Sequence, residues 1–142
     1  MTSVMDEVLE IVQRYHVDSL YVFGSRAAEI SARVHGQSAV CEHPESDVDI
    51  AIQPSRNHRL SARERVRLTS ALEDLFDVGR VDLVLLPEAN PFLAVEAIRG
   101  ELLACRDLDT QAEDELYILR RAGDLAPFER QRWEQLIEAR TT

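Results

Sequence analysis

A segment of six residues, Asp47-Val48-Asp49-Ile50-Ala51-Ile52, alternates polar with apolar side chains before the chain reaches Pro54. A period of two indicates a β-strand, because successive side chains of a strand point to opposite faces of the sheet. The two carboxylates therefore share one face, and Val48 and Ile50 lie on the other. A chain with this segment is constrained to build a sheet that buries one face and brings two like charges together on the opposite face.

Three further segments have the composition of short strands. Residues 19–23 form a β-branched and aromatic run that stops at Gly24. Residues 80–86 are nearly all apolar apart from Asp82, and Pro87 follows them. Residues 102–104 form a brief apolar run. We therefore expect three or four strands.

Helices are predicted between and after these strands. Residues 4–15 have apolar side chains at helical spacing, and the capping box Ser61-Ala62-Arg63-Glu64 begins an apolar face that continues to Gly79. Asn90 and Pro91 start a helix that Gly100 stops. Shorter helices are predicted over residues 27–34, 113–121 and 127–139. The alternation predicts an α/β fold with a small mixed sheet of three to four strands flanked by helices.

Length and charge limit the possible functions. The 142 residues predict one domain, 1–142, whose tail from about residue 108 is helical. No apolar run approaches the roughly 20 residues that span a bilayer, and the acidic N-terminus is unlike a signal peptide, so we expect a cytoplasmic protein that does not bind membranes. The net charge is −10, and the 16 basic residues are all arginines dispersed among 26 acidic residues. This argues against direct nucleic-acid binding and suits either a basic protein partner or simple solubility.

Asp47 and Asp49 are the first candidate metal ligands. Two carboxylates on one face of a strand repel each other unless a cation offsets both charges. Mg²⁺ takes hard oxygen ligands and often combines one or two carboxylates with substrate phosphates, so it is the natural candidate. Asp82 supplies a third carboxylate if its strand is adjacent. The alternative for Asp47 and Asp49 is a solvent-facing strand edge. For Asp82 it is a strand-end aspartate that is bonded to a turn or paired with an arginine such as Arg80.

Gly24, Ser25 and Arg26 are candidates for holding a phosphate. A strand that ends in Gly-Ser and opens a helix directs free backbone N–H groups at whatever lies above the turn. Gly24 permits close approach, Ser25 offers a hydroxyl and Arg26 a positive charge. As a lone dipeptide, Gly-Ser is also compatible with an ordinary turn.

These motifs together resemble those of the nucleotidyltransferase superfamily that includes DNA polymerase β, aminoglycoside nucleotidyltransferases and the minimal nucleotidyltransferases. Three segments carry the resemblance: Phe23-Gly24-Ser25-Arg26-Ala27, Ser46-Asp47-Val48-Asp49-Ile50 and Val81-Asp82-Leu83. The resemblance implies that Asp47 and Asp49 bind the metals and that Asp82 completes the site and helps to activate an acceptor hydroxyl. It further implies that Gly24 and Ser25 hold the nucleotide triphosphate.

Among small members of this superfamily, the chain looks like the MntA-type antitoxins. That resemblance implies ATP as substrate, Mg²⁺ as cofactor and transfer of AMP to a tyrosine of a HEPN-domain ribonuclease toxin. One departure is the spacing, because residues 26–46 form a longer interval between Ser25 and Asp47 than the family usually has. The alternatives are a catalytically weak antitoxin that acts by binding, and a small-molecule nucleotidyltransferase of the aminoglycoside type.

Three aromatic residues of the tail are predicted to pack, and for Tyr117 the alternative is self-nucleotidylation. Tyr117 lies in a predicted amphipathic helix with Leu116 and Leu119. Phe128 and Trp133 lie in the last predicted helix, where an exposed face could instead bind a partner.

Overall fold

The computed structural model describes residues 2–141, so Met1 and Thr142, the two ends of the predicted domain, lie outside the described residues. Its strands are β1 (Val17–Phe23), β2 (Val48–Pro54), β3 (Val81–Leu85) and β4 (Glu101–Cys105). Its helices are α1 (Val4–Arg14), α2 (Ala27–Val34), α3 (Ala62–Phe76), α4 (Pro91–Ile98) and α5 (Leu108–Thr141), with a short 3-10 turn at Leu86–Glu88.

The four strands form one mixed sheet in the order β3-β2-β1-β4. Strand β1 pairs antiparallel with both β2 and β4, whereas β2 and β3 are parallel. The predicted α/β fold with a small mixed sheet is therefore confirmed. The register places Phe23 opposite Asp49, and Asp49 opposite Asp82. The ends of β1, β2 and β3 that carry the candidate site residues thus meet at one edge of the sheet.

Each face of the sheet packs against its own helices. Val48, Ile50 and Ile52 of β2 are fully buried in the larger core, which includes residues of α1, α2 and α3. Ala51 faces the other way, into a smaller core with residues of α4 and α5. The alternating side chains of β2 therefore point into two different cores.

Local sequence signals place most helix ends. The predicted capping box is present, because the Ser61 hydroxyl accepts from the backbone N–H of Glu64 while the Glu64 carboxylate accepts from that of Ser61. Helix α3 ends at Phe76, before the predicted Gly79, and Asp77 caps it in the left-handed conformation with φ of 52°. Pro54, expected to end β2, is instead its last residue, and it pairs with Val17.

Helix α5 corrects the prediction of two separate helices in the tail. It runs without interruption over 34 residues, with Pro127 inside it. Proline costs a helix interior about 3 kcal/mol, because it lacks a backbone N–H, and glycine about 1 kcal/mol. Neither cost ends the helix here, because most residues around Gly123 and Pro127 are good helix formers.

The packing predicted for the aromatic residues of the tail is wrong. Tyr117, Phe128 and Trp133 are 62%, 68% and 61% exposed, whereas Ile118 is buried. The helix is held to the sheet by Ile118 in the smaller core and by polar contacts near its start. There, the Tyr21 hydroxyl donates to Glu115 at 2.9 Å and accepts from Gln111 at 2.8 Å.

Cys41 and Cys105 are both free thiols. Among residues 2–141, no helix combines the length and apolar character needed to cross a bilayer.

A buried ion cluster joins helix α2 to its surroundings. The Arg26 guanidinium donates to both carboxylate oxygens of Glu29, at 3.0 and 2.9 Å, and Arg33 lies 2.7 Å from the same carboxylate. Arg33 also donates to the carbonyl of Phe76 at 2.6 Å. The bonds from Arg26 hold the pKa of Glu29 below its usual range, although burial opposes this. The cluster therefore connects α2 with the end of α3.

Replacement of Glu29 by alanine is expected to lower the free energy of unfolding by about 3 kcal/mol, because it leaves Arg26 buried without its partner. The contribution of Glu29 is complete above the ordinary pKa of a glutamate and is lost as the pH falls through its lower pKa in the folded state. Urea denaturation at several pH values measures both effects. Glu10→Ala is the control, because the Glu10–Arg14 pair is about 60% exposed and is worth at most about 0.5 kcal/mol. Equal losses in the two variants would contradict the prediction.

Candidate active site

The turn after β1 brings backbone close to a carboxylate. Gly24 has a φ of 79°, a conformation that favours glycine. A Cβ at position 24 would overlap Oδ2 of Asp49, so any other residue here would push this carboxylate aside. Gly24 and Ser25 are exposed, and Ala27, the first residue of α2, donates its N–H to the carbonyl of Gly24 at 3.2 Å. The predicted order of strand, Gly-Ser turn and helix is therefore present.

The three aspartates lie on the face of the sheet that α4 and α5 cover. Asp47 immediately precedes β2, Asp49 is its second residue, and Asp82 occupies the paired position of β3. Val48, between the first two, is fully buried on the opposite face. The structure therefore brings Asp47, Asp49 and Asp82 together next to Gly24.

Asp49 is the carboxylate with the least favourable surroundings. Burial raises its pKa, and the charges of Asp82, Asp47 and Glu96 raise it further. Arg80 lies between the two flanking aspartates, with its Nε 3.7 Å from Oδ2 of Asp47 and 3.6 Å from Oδ1 of Asp82. Its side chain is 72% exposed, so this contact is weakly stabilising and easily given up. The expected pairing of Asp82 with Arg80 is thus present, but Arg80 is shared with Asp47.

The Arg26 side chain is buried, whereas its position after the Gly-Ser turn suggested that it would contact a phosphate. It is 6% exposed, and its guanidinium binds Glu29 and the carbonyl of Ser46, the latter at 3.2 Å. These bonds connect the start of α2 to the residue that precedes Asp47. Arg26 therefore fixes the spacing between the Gly-Ser turn and the first aspartate, and its charge is neutralised by Glu29 rather than directed at a phosphate.

Sequence reasoning missed the role of Glu29. The available signal was the spacing of Arg26, Glu29 and Arg33, because residues three and four apart lie on one side of a helix. Sequence alone could not show that this side is buried, since three charged residues are more often exposed.

The long interval between Ser25 and Asp47 consists of two parts. Its first part is helix α2, whose Ile30 and Val34 are buried in the larger core. Its second part, residues 35–47, contains no helix or strand. The first part leaves the Gly-Ser turn next to Asp49, so the added length does not displace this turn.

A metal ion here would need ligands beyond the protein's own. Among residues 2–141, no group of three or more His, Cys, Asp or Glu side chains is arranged to hold a metal ion by itself. The carboxylates do fit a cation that takes part of its oxygen ligands from a substrate, because their mutual repulsion falls when positive charge enters between them. Mg²⁺ with substrate phosphates is such a case.

Solved structures share this fold over nearly the whole chain. A mutant of the MntA–HpeT toxin–antitoxin matches with a TM-score of 0.66 and 20% identity, covering 97% of this chain and 98% of that one. A toxin–antitoxin with AMP-PNP matches with a TM-score of 0.65 and 20% identity, over the same shares. A tri-AMPylated Shewanella oneidensis HEPN toxin in complex with MNT antitoxin matches with a TM-score of 0.62 and 19% identity, covering 98% and 97%. At these identities the likeness establishes the fold.

The family follows from the sequence itself. No curated protein matches significantly. The family model described as polymerase beta, nucleotidyltransferase matches residues 6–109, which include the Gly-Ser turn and all three aspartates. Because this match covers well over half of the chain, the protein belongs to the polymerase beta nucleotidyltransferase family.

Proposed function

We propose that this protein is an antitoxin that transfers AMP from ATP to a tyrosine hydroxyl of a HEPN ribonuclease toxin, with Mg²⁺ as cofactor. The observation that carries the proposal is the approach of Gly24 to Asp49, with Asp82 in register on the next strand. This arrangement would give one edge of the sheet a turn suited to anions and three candidate metal ligands, of which Asp82 is also the candidate base. The match to complexes of MntA and MNT antitoxins supports this choice of acceptor.

Each site residue has a role in this proposal. Asp47, Asp49 and Asp82 would hold Mg²⁺, which supplies positive charge for the phosphates. Gly24 and Ser25 bind the β- and γ-phosphates through backbone N–H groups and the hydroxyl. The tyrosine oxygen forms a bond to the α-phosphorus, the bond from that phosphorus to the pyrophosphate oxygen breaks, and Asp82 accepts the tyrosine proton. The products are the AMP-modified toxin and pyrophosphate.

The charge of the chain is compatible with a protein acceptor. A net charge of −10 favours encounter with a basic partner and disfavours binding to nucleic acid. Neutralisation by binding alone is the second candidate function. It is supported by the exposed apolar side chains of α5, including Phe128 and Trp133, which offer contact area without using the catalytic edge.

Intact mass spectrometry of the candidate toxin, incubated with this protein, ATP and Mg²⁺, separates the two functions. Transfer predicts a gain of one or more AMP units, and EDTA is expected to abolish the gain because the carboxylates then lack their cation. A toxin that is neutralised in a stable complex without any gain in mass would contradict transfer and support binding alone.

Asp49→Asn is expected to lower the rate of AMP transfer at least about 100-fold, because it removes a metal ligand. The same change is expected to raise the melting temperature of the metal-free protein, because burial and the charges of Asp82, Asp47 and Glu96 raise the pKa of Asp49 and so make its charged form unfavourable in the folded state. Calorimetry and a transfer assay measure the two effects. Asp74→Asn, on the exposed side of α3, is the matched control and should change neither quantity. A lower melting temperature with unchanged transfer would overturn the assignment.

Gly24→Ala is expected to reduce transfer by at least about tenfold and to destabilise the fold by about 1–2 kcal/mol. The new methyl group would push the Asp49 carboxylate aside, and alanine is strained at a φ of 79°. Gly79→Ala is the control, because a Cβ there meets no atom within 4 Å. Similar transfer rates for the two variants would show that the close approach of Gly24 is dispensable.

A further inference from the structure

Strand β3 forms the edge of the sheet beside the candidate site. The strand order gives β3 one neighbour, β2, so its other side pairs with no strand among residues 2–141. Asp82, the second residue of β3, belongs to the candidate site. The opposite edge of the sheet is β4, which β2 and β1 separate from β3. Of the two edges, β3 is therefore the one that brings unpaired backbone next to the carboxylates.

The backbone groups of β3 divide between its two sides. Along a strand, the N–H and C=O groups of successive residues point to alternate sides. The N–H of Val48 in β2 donates to the carbonyl of Arg80 at 3.0 Å, so the backbone groups of Arg80 point toward β2. By alternation, those of Asp82 and Val84 do the same. The residues between them therefore direct their backbone groups outward.

The outward groups of β3 are partly open. The N–H of Val81 donates to the Glu73 carboxylate of α3 at 3.0 Å, as the alternation requires. The outward N–H and C=O groups of Leu83 and Leu85 have no partner among residues 2–141. A sheet edge with free donors and acceptors is a template for a further strand.

An open groove of about 390 Å³ lies along this edge, between β3 and α3. Its lining consists of two leucines of β3 and five residues of α3: Leu83, Leu85, Arg65, Val66, Thr69, Ser70 and Glu73. Val66 is apolar but 66% exposed. Leu83 faces the larger core, on the opposite face from Asp82. A strand added to β3 would thus direct alternate side chains into this groove and the others toward the candidate site.

We infer that the β3 edge binds the acceptor tyrosine within an extended segment of the partner protein, which joins the sheet as an additional strand. The inference rests on the proposed function, because that proposal supplies the tyrosine. Neighbouring strands lie about 5 Å apart, so a tyrosine opposite Asp82 stands on the same face and within reach of this carboxylate. Its two neighbours in sequence point into the groove, where apolar side chains fit Val66 and Leu83.

Charge favours a partner protein over a second copy of this chain as the source of the added strand. Two copies would each carry a net charge of −10 and repel each other. A segment with basic residues near the tyrosine is attracted instead. The edge therefore selects an extended segment with a tyrosine between apolar residues and with positive charge nearby.

N-methylation of an acceptor peptide tests the inference without any change in the protein. The probe is a synthetic peptide with a central Val-Tyr-Val segment and a lysine at each end, assayed for AMP transfer with ATP and Mg²⁺. One backbone nitrogen is methylated at a time. Strand addition predicts that methylation at alternate positions raises KM about fivefold and leaves kcat unchanged, because alternate N–H groups face β3. The intervening positions are the matched controls, since their N–H groups face away.

Val66→Glu tests the groove. Val66 is exposed and glutamate is a good helix former, so the variant is expected to fold. It places a charge where the apolar neighbours of the tyrosine lie, so KM for the peptide is expected to rise about fivefold at unchanged kcat. Leu9→Glu is the matched control, because it adds the same charge at an exposed position of α1 and should change neither constant.

The outcomes separate the inference from the proposed function. If the wild-type protein modifies the toxin, but the effects of methylation do not alternate or the two glutamate variants have equal KM values, the inference fails and the proposed function stands. Transfer to the toxin but not to the unmethylated peptide would also overturn the inference, because an extended segment would then not suffice. A wild-type dimer that Val66→Glu dissociates in size-exclusion chromatography would assign the edge to a second copy. Transfer to neither acceptor would contradict the proposed function itself.

Discussion

The pairing of β2 with its two neighbours is the constraint on which the rest of the molecule depends. Antiparallel pairing with β1 sets Phe23 opposite Asp49, so the turn that follows Phe23 lies against the Asp49 carboxylate. Parallel pairing with β3 sets Asp82 beside Asp49. A slip of one residue in either register would turn the side chains to the other face and separate these groups. The register is secured by the buried side chains of β2, which have no other apolar environment available.

The same pairing concentrates negative charge, and the fold accommodates this charge in two ways. Arg80 lies near Asp47 and Asp82 but remains mostly exposed, so it offsets part of the repulsion without closing the site. Arg26 is buried and neutralised by Glu29, and it fastens the start of α2 to the carbonyl of Ser46. One arginine is therefore exposed beside the carboxylates, and the other is buried and structural. The net charge of the chain does not distinguish these two arginines, because they carry the same charge and differ in burial.

The two faces of the sheet are used differently. The face covered by α1, α2 and α3 holds the larger apolar core and provides most of the hydrophobic stabilisation. The face toward α4 and α5 has a smaller core that leaves room for the carboxylates and for a groove between the helices. Helix α5 is anchored near its start by Tyr21 and extends with exposed apolar side chains. The larger apolar core and the candidate site thus lie on opposite sides of the same strands.

Much of the fold and the composition of the candidate site could be predicted from the sequence, because they depend on short-range physics. Alternation identified β2 and the shared face of Asp47 and Asp49, and a capping box identified α3. Whether Asp82 lies beside Asp49 could not be predicted, because it depends on which strands are adjacent. Strand order is set by contacts between residues that are distant in sequence. Tertiary structure also decided the burial of Arg26 with Glu29, the continuity of α5 through Pro127 and the exposure of Tyr117. In each case the outcome depends on which surfaces pack together in the folded chain. Local sequence sets the structural propensity of a segment, but it does not specify the tertiary contacts that override this propensity.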